Sequence, residues 1–120
     1  MVITKLEPNE FFVFGSNLAG RHGAGAALQA AQEFGAQYGV GEGLTGQCWA
    51  FPTLDAHLRR RPLVELEAAR DALYAACLHC PSSRFLLTKV GCGIAGYPEP
   101  LMRGLFSNPP KNLILPEDWK

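Results

Sequence analysis

The chain has 120 residues, of which 48% are hydrophobic, and its 11 basic and 11 acidic side chains cancel to a formal net charge of zero. This length fits a single domain over residues 1–120, and the balanced charge argues against a general binder of nucleic acid or membrane surfaces, which would usually be basic. The sequence has no apolar run near the ~20 residues of a spanning helix and no secretion signal. We therefore expect a cytoplasmic protein without a membrane partner. A local basic patch leaves a nucleic-acid partner open.

The first half of the chain alternates strand and helix patterns. Residues 11–14 form a continuous apolar run, typical of a strand that is buried on both faces. Residues 23–34 carry apolar side chains at helical spacing and predict a helix. Four glycines within residues 39–46 predict a loop. Residues 47–51 then predict a second strand, which we expect Pro52 to stop.

The second half of the chain continues the alternation. A polar connection over residues 53–61 leads to a helix over residues 62–81, which a proline opens and a proline ends. Residues 84–90 predict the clearest strand, residues 98–106 a third helix and residues 112–115 a last strand. Because parallel strands need long crossovers, which the helices supply, this order predicts an α/β fold with a mixed, mainly parallel sheet flanked by helices.

Two glycine-rich loops directly follow predicted strands. The first is GSNLAGRHGAG, residues 15–25, and the second is GCGIAG, residues 91–96. Ligands of open α/β sheets bind outside the carboxyl ends of the strands, and glycine lets backbone N–H groups close around an oxyanion, aided by the helix that follows. We predict that both loops hold a pyrophosphate-bearing ligand. The alternative is that the glycines serve only tight turns and close helix packing.

Neither loop carries one of the commoner phosphate-binding motifs. The first loop has the order G-x-x-G-x-G, and the second reads as G-x-G-x-x-G without a clear acidic partner about twenty positions later. No Walker lysine follows either loop, so the sequence does not predict an NTPase.

The four cysteines do not form a zinc motif. Cys77 and Cys80 are three residues apart on a predicted helix and are expected to share a buried face, whereas Cys48 and Cys92 are isolated. Zinc sites normally need four ligands at set spacing, and disulfides are not expected without a secretion signal. We therefore predict no metal site and no cofactor.

The pairing of FGSNLAGRHGAGAALQA with LLTKVGCGIAGYPEP resembles the macrodomain family, and in particular its small bacterial and phage members. The similarity extends from residue 11 to residue 119, with specific motifs only in the two loops. The resemblance implies a three-layer macro-like fold and a ligand that is ADP-ribose, a related nucleotide, or an ADP-ribosylated macromolecule. The expected ligand-binding residues are Gly15, Ser16, Asn17, Gly23, Ala24, Gly25, Thr53, Gly91, Cys92, Gly93, Ile94, Ala95, Gly96 and Tyr97.

The chain departs from the macrodomain pattern in two ways. Macrodomains typically bind adenine with an aspartate near the start of the fold, and only Glu7 and Glu10 precede the first loop here. The resemblance therefore does not assign a nucleobase. The chain is also short for the family, so we expect a peripheral strand or helix to be missing.

Three residues are candidates for the catalysis of ADP-ribosyl hydrolysis. The resemblance implies that the Asn17 amide contacts the ribose beside the scissile bond; alternatively, it bonds its own loop backbone. His22 lies in a glycine loop, is expected outside the core, and would contact phosphate or act as an acid or base, unless it is simply exposed. Asp55 follows a strand and would activate a water, bond a ribose hydroxyl or cap a turn.

Six further residues are candidates for contact with a ligand or for chemistry. The run Arg59, Arg60 and Arg61 is a solvated patch or contacts phosphate or a nucleic-acid strand. Cys92 is a candidate nucleophile, although no base is visibly paired with it. Tyr97 and Trp49 are packing residues or stack on a base.

The sequence therefore predicts a module that binds ADP-ribose or a related pyrophosphate ligand, with hydrolysis of ADP-ribosyl linkages left open. The alternative is a non-catalytic structural or interaction protein, for example one associated with a phage.

Overall fold

A computed structural model describes residues 3–120 as one sheet with helices packed against it. The elements in chain order are β1 (Glu10–Asn17), α1 (Gly25–Glu33), β2 (Gly43–Thr45), β3 (Cys48–Leu54), α2 (Leu63–His79), β4 (Arg84–Leu87), α3 (Glu99–Leu105), β5 (Leu113–Ile114) and a single 3₁₀ turn (Glu117–Trp119). The strand order is β2-β3-β1-β4-β5; β2 pairs antiparallel with β3, and the other three strand pairs are parallel. The predicted α/β class with a mixed, mainly parallel sheet is confirmed.

The central strand β1 alternates its side chains between two cores. Phe12 and Phe14 are buried on one face, where they pack with Ala30 of α1. Val13 is buried on the other face, in a cluster that includes Leu73 of α2 and residues of α3. Because helices cover both faces, every position of the strand can be apolar, which is why the sequence shows a continuous apolar run instead of alternation.

The ends of three parallel strands bring the two glycine loops together. From β1 the chain crosses to β3 on one side of it and later to β4 on the other, so the carboxyl end of β1 is a topological switch point. The backbones approach closely there: a β-carbon at Gly15 would lie 3.4 Å from the backbone nitrogen of Gly91. The sheet topology alone therefore places both loops at one edge.

Two expectations about the strands are wrong. Pro52 does not stop the second strand, because β2 pairs with β3 only up to Ala50, and the missing N–H of Pro52 removes no bond from that ladder. The glycine-rich stretch at 39–46, expected as a loop, contains the short edge strand β2, whose Thr45 hydroxyl accepts a hydrogen bond from the Gln37 N–H at 2.8 Å.

The expectation that Cys77 and Cys80 share a buried face is also wrong. Cys77 is buried in the core, and this burial raises the pKa of its thiol to about 12. Cys80 caps the C-terminus of α2 with non-helical backbone angles, so its exposed side chain no longer follows the helix face.

Across the described residues, no helix combines the length and apolarity needed to cross a bilayer.

Candidate functional site

A cleft of about 780 Å³ opens at the carboxyl ends of β1, β3 and β4. Its volume is within the range of small-molecule sites, roughly 300–1,000 Å³. Both glycine loops contribute to it. Of the expected ligand-binding residues, the cleft is lined by Gly15, Ser16, Asn17, Gly23, Ala24, Gly25, Thr53, Gly91, Gly93, Ile94 and Ala95.

Asn17 fixes the shape of the first loop. Its Nδ2 donates to the Arg21 carbonyl at 2.9 Å, and its Oδ1 accepts from the Arg21 N–H at 3.1 Å. This is the backbone-bonding role that the sequence left as an alternative. Asn17 lines the cleft but is only 8% exposed, so its main action is to hold the loop backbone in place.

The first loop leaves a run of backbone donors unpaired. The N–H groups of residues 22–27 have no acceptor among the described residues, and the first one paired is that of Leu28, which donates to the Ala24 carbonyl at 3.2 Å. The first turn of any helix has such unpaired donors, together with a partial positive charge. Here the run begins before α1, and residues 23–27 line the cleft.

The second loop presents another set of unpaired donors. Turns pair the N–H groups of Gly96 and Tyr97 with loop carbonyls and that of Cys92 with the Lys89 carbonyl. The N–H groups of Gly91 and of residues 93–95 have no acceptor in the described part of the chain, and all four residues line the cleft. Successive free N–H groups in a turn form an anion-binding concavity.

Arg60 holds the second loop from the connection between β3 and α2. Its Nε donates to the Ala95 carbonyl at 2.8 Å and its Nη2 to the Gly96 carbonyl at 2.6 Å, while the guanidinium lies 5.3 Å from the centre of the Tyr97 ring. These bonds fix the orientation of the last peptides of the loop. Arg60 also lines the cleft, which distinguishes it from Arg59, an exposed partner of Asp55.

The charged side chains that line the cleft are all cationic. They are Arg21, Arg60 and Lys89, and among the described residues no carboxylate belongs to the lining. Hydrogen bonds to Asp118 at 2.7 Å and to Glu99 raise the pKa of Lys89 to about 12. Because Lys89 is paired with these two carboxylates, the positive charge that the cleft offers an anion comes from Arg21 and Arg60.

His22 lies in the core, so the expectation that it lies outside is wrong. Its ring is fully buried, packs edge-on against Phe14 with centroids 5.2 Å apart, and lies 5.4 Å from Tyr38. Its Nε2 is 3.1 Å from the Gln37 carbonyl, while its Nδ1 has no partner among the described residues. His22 does not line the cleft, because the loop folds back and inserts the ring beside β1.

Asp55 caps a turn and does not line the cleft. Its Oδ1 accepts from the His57 N–H at 2.8 Å and from the Arg59 N–H at 2.9 Å. The bond from the Arg59 N–H, together with that from His57, holds the pKa of this carboxyl below its usual range. The turn-cap alternative therefore describes the geometry, and the expected role in water activation has no support from it.

Three expected ligand-binding residues, Cys92, Gly96 and Tyr97, do not line the cleft. The hydroxyl of Tyr97 accepts from the Arg61 N–H at 2.7 Å and lies 2.8 Å from the Thr53 carbonyl, so it joins the second loop to the end of β3. The Cys92 thiol is half-buried, which raises its pKa and disfavours the thiolate that a nucleophile needs. All three lie outside the cleft lining, and the bonds of the Tyr97 hydroxyl hold the loop in place.

Sequence reasoning missed two of the cations at the site. Arg21 lies inside the first loop motif and Lys89 lies two residues before the second, so proximity to the glycines was an available signal. Within residues 3–120, no group of three or more His, Cys, Asp or Glu is placed to hold a metal ion.

No protein-family model, curated protein or solved structure matches the chain.

Proposed function

We propose that this chain binds ADP-ribose, or an ADP-ribose unit on a modified macromolecule, with the diphosphate between the two glycine loops. The observation that supports this proposal is that residues 23–27, Gly91 and residues 93–95 all line one cleft and carry backbone N–H groups without an acceptor among the described residues. Phosphate oxygens accept such bonds, and Arg21 and Arg60 in the same lining add charge.

The resemblance to macrodomains supports the choice of ADP-ribose among diphosphates. Asn17, Gly23 and Gly25 carry the resemblance in the first loop, and Gly91 and Gly93 carry it in the second. These residues come from distant parts of the chain and line the same cleft.

The geometry favours binding over hydrolysis. Of the three catalytic candidates, only Asn17 lines the cleft, and its amide is bonded at both ends to the Arg21 backbone. Asp55 caps a turn and His22 is buried, so neither is placed to activate a water. The proposed activity is therefore that of a binding module, without an assigned general base.

Filling the cleft is the direct test of the proposal. A β-carbon at Gly23 or Gly93 would meet no described atom within 4 Å, and neither residue has a positive φ. We therefore expect Gly93→Leu and Gly23→Leu to fold normally and to weaken ADP-ribose binding at least about tenfold in titration calorimetry. Gly104→Leu is the matched control, because a β-carbon there also meets open space and Gly104 lies outside the cleft.

Two results would overturn the proposal. Absence of binding at millimolar ADP-ribose would favour the alternative of a structural or interaction protein. Binding that Gly93→Leu and Gly23→Leu leave unchanged would place the ligand elsewhere. Catalytic turnover is measured in a separate assay, as release of ADP-ribose from a modified protein. Release that Asn17→Ala abolishes would show a hydrolase instead of a binding module.

A further inference from the structure

The glycine-rich stretch between α1 and β3 forms a loop that is closed at its base. The Gln47 N–H donates to the Phe34 carbonyl at 2.9 Å, and the Gln37 N–H donates to the Thr45 hydroxyl at 2.8 Å. Residues 37–41, which we call the supporting segment, belong to no helix or strand. They extend from this closed base to the first glycine loop, where they make the contacts described next.

Three hydrogen bonds join the supporting segment to the first glycine loop. The Gly39 N–H donates to the Gly20 carbonyl at 2.9 Å, and the Tyr38 hydroxyl donates to the His22 carbonyl at 3.1 Å. The Nε2 of His22 lies 3.1 Å from the Gln37 carbonyl. Because a carbonyl only accepts hydrogen bonds, this ring nitrogen carries the proton and donates it.

The two segments also approach so closely that two of their contacts leave no room for a side chain. A β-carbon at Gly20 would lie 2.4 Å from the carbonyl carbon of Gly39, and one at Gly41 would lie 2.2 Å from the carbonyl oxygen of Asn17. The Gly41 carbonyl accepts a further hydrogen bond from the Ser16 hydroxyl. Glycine is therefore required at both contacts, a role that the short strand β2 does not explain.

The stability of the core does not by itself explain why an imidazole is buried at residue 22. The Nδ1 of His22 has no partner among the described residues, although the ring is fully buried. A buried nitrogen without a hydrogen bond costs stability, and an apolar side chain would avoid that cost. An apolar side chain would not, however, provide the bond to the Gln37 carbonyl. The imidazole therefore gains its advantage from its tie to the supporting segment.

These contacts hold the first loop just before its unpaired donors begin. Asn17 bonds the backbone of Arg21 from within the loop, and the supporting segment bonds both neighbours of Arg21 in sequence. The residues that follow, 23–27, line the cleft with unpaired N–H groups. Free donors bind an oxyanion most tightly when their geometry is fixed beforehand, because binding then does not have to order the loop.

We propose that His22 and the supporting segment are positioning residues of the ligand site, which hold the first glycine loop in the shape that binds the diphosphate. Neither His22 nor residues 37–41 belong to the cleft lining, so they act on a ligand only through the loop. This inference rests on the proposed function and adds to it the part of the chain that forms the site before the ligand binds.

The first test separates the two segments with one methyl group. Gly41 has no positive φ, so Gly41→Ala acts through the contact with the Asn17 carbonyl, and the dissociation constant for ADP-ribose is expected to rise at least about tenfold in titration calorimetry. Gly43→Ala is the control in the same loop: its φ of 89° makes alanine strained, but the added β-carbon meets no described atom within 4 Å. It should lower stability and leave the affinity unchanged. An unchanged affinity in Gly41→Ala, or equal weakening in both variants, overturns the proposal.

A second pair of variants changes the hydrogen bond of His22 and serves also if Gly41→Ala does not fold. His22→Gln keeps an N–H that can donate to the Gln37 carbonyl, whereas His22→Leu has no donor. We expect His22→Gln to bind ADP-ribose within about threefold of wild type and His22→Leu to bind about tenfold more weakly. The Gln37 carbonyl keeps a bond from the Val40 N–H at 3.3 Å, and leucine removes the unpaired Nδ1, so thermal melts should show little loss of stability in His22→Leu. Equal affinities in the two variants overturn the role of His22.

Amide chemical shifts test the supporting segment without a ligand. In Gly41→Ala, the amide signals of residues 23–27 are expected to move from their wild-type positions, while those of residues 93–95 stay. Gly43→Ala should leave both sets in place. Unchanged signals at residues 23–27 in Gly41→Ala overturn the inference and leave the proposed function intact. If wild type does not bind ADP-ribose at millimolar concentration, the proposed function fails, and the amide signals alone then decide whether the supporting segment shapes the loop.

Discussion

Asn17 and Asp55 use their side chains in the same way. Each accepts hydrogen bonds from backbone N–H groups a few residues ahead and so fixes a turn at the end of a strand. His22, a third polar residue near a strand end, instead inserts its ring beside Phe14. At this scale, polar side chains shape the backbone around the cleft, and the backbone supplies the donors.

The charge of Asp55 is expected to stabilise the fold in a pH-dependent way. Asp55→Asn keeps an oxygen that can accept both turn bonds but removes the charge. Because the pKa of Asp55 is lowered in the fold, the charge stabilises the fold above the ordinary value of 3.8, and this contribution is lost as pH falls through the folded pKa. We expect wild type to melt higher than Asp55→Asn at neutral pH, with the difference closing below that value.

Thermal melts recorded from neutral pH into the acid range measure that difference. Asp71→Asn is the matched control, since Asp71 is an exposed residue of α2 whose partner is the neighbouring Arg70. A difference in melting temperature between wild type and Asp55→Asn that stays constant down to acid pH would contradict the charged cap assigned to Asp55. Affinity for ADP-ribose is expected to be unchanged in Asp55→Asn, because Asp55 does not line the cleft.

At the scale of elements, the second glycine loop depends on the connection between β3 and α2. Arg60 binds two of its carbonyls, and the Tyr97 hydroxyl bonds the backbone of Arg61 and Thr53. The loop has no regular secondary structure of its own. Its shape is therefore imposed by a connection whose bonded residues precede it by 35 or 36 positions in sequence.

Removing the Tyr97 hydroxyl tests this dependence. Tyr97→Phe removes the bonds at 2.7 Å and 2.8 Å and leaves the Arg61 N–H and the Thr53 carbonyl only their long mutual bond at 3.4 Å. This loss should lower the free energy of unfolding by about 1–3 kcal/mol. Denaturant unfolding measures this change. In Tyr38→Phe, the control, the lost bond to the His22 carbonyl comes from a side chain that is 65% exposed, so the loss should be smaller. Equal losses in both variants would contradict the role given to Tyr97.

The sequence predicted the order of elements because the signals for them are local. Apolar runs, helical spacing and prolines at helix ends are properties of neighbouring residues. Pro52 and β2 were misread for the opposite reason. Whether a proline interrupts a strand depends on which strand lies beside it, and β2 (Gly43–Thr45) exists only because β3 offers an edge to pair with.

At the scale of the whole molecule, a neutral chain concentrates positive charge in one cleft. The 11 basic and 11 acidic side chains balance, but the charged residues in the lining are Arg21, Arg60 and Lys89. With no net charge, the chain has little long-range attraction for anions in general. The proposed preference for an anion therefore depends on how these side chains are arranged around the loops.

Ionic strength should therefore weaken binding through the cleft. Raising monovalent salt from low to high concentration shortens the screening length from about 30 Å to about 3 Å, so the dissociation constant for ADP-ribose should rise severalfold. Arg21→Met should reduce this salt dependence, while Arg103→Met, an exposed arginine of α3 outside the cleft, should not. Affinities measured by calorimetry at a series of salt concentrations test both statements, and a salt-independent affinity would contradict them.

The sequence by itself determined the alternation of strands and helices and the position of both glycine loops after strands, because neighbouring residues set backbone preference and hydrophobic period. Tertiary structure alone decided what lines the cleft. It placed Arg60 on the second loop, buried His22 beside Phe14 and left Tyr97 outside the cleft lining. These outcomes depend on contacts between residues far apart in the chain, and no local pattern records which N–H groups the folded backbone leaves unpaired.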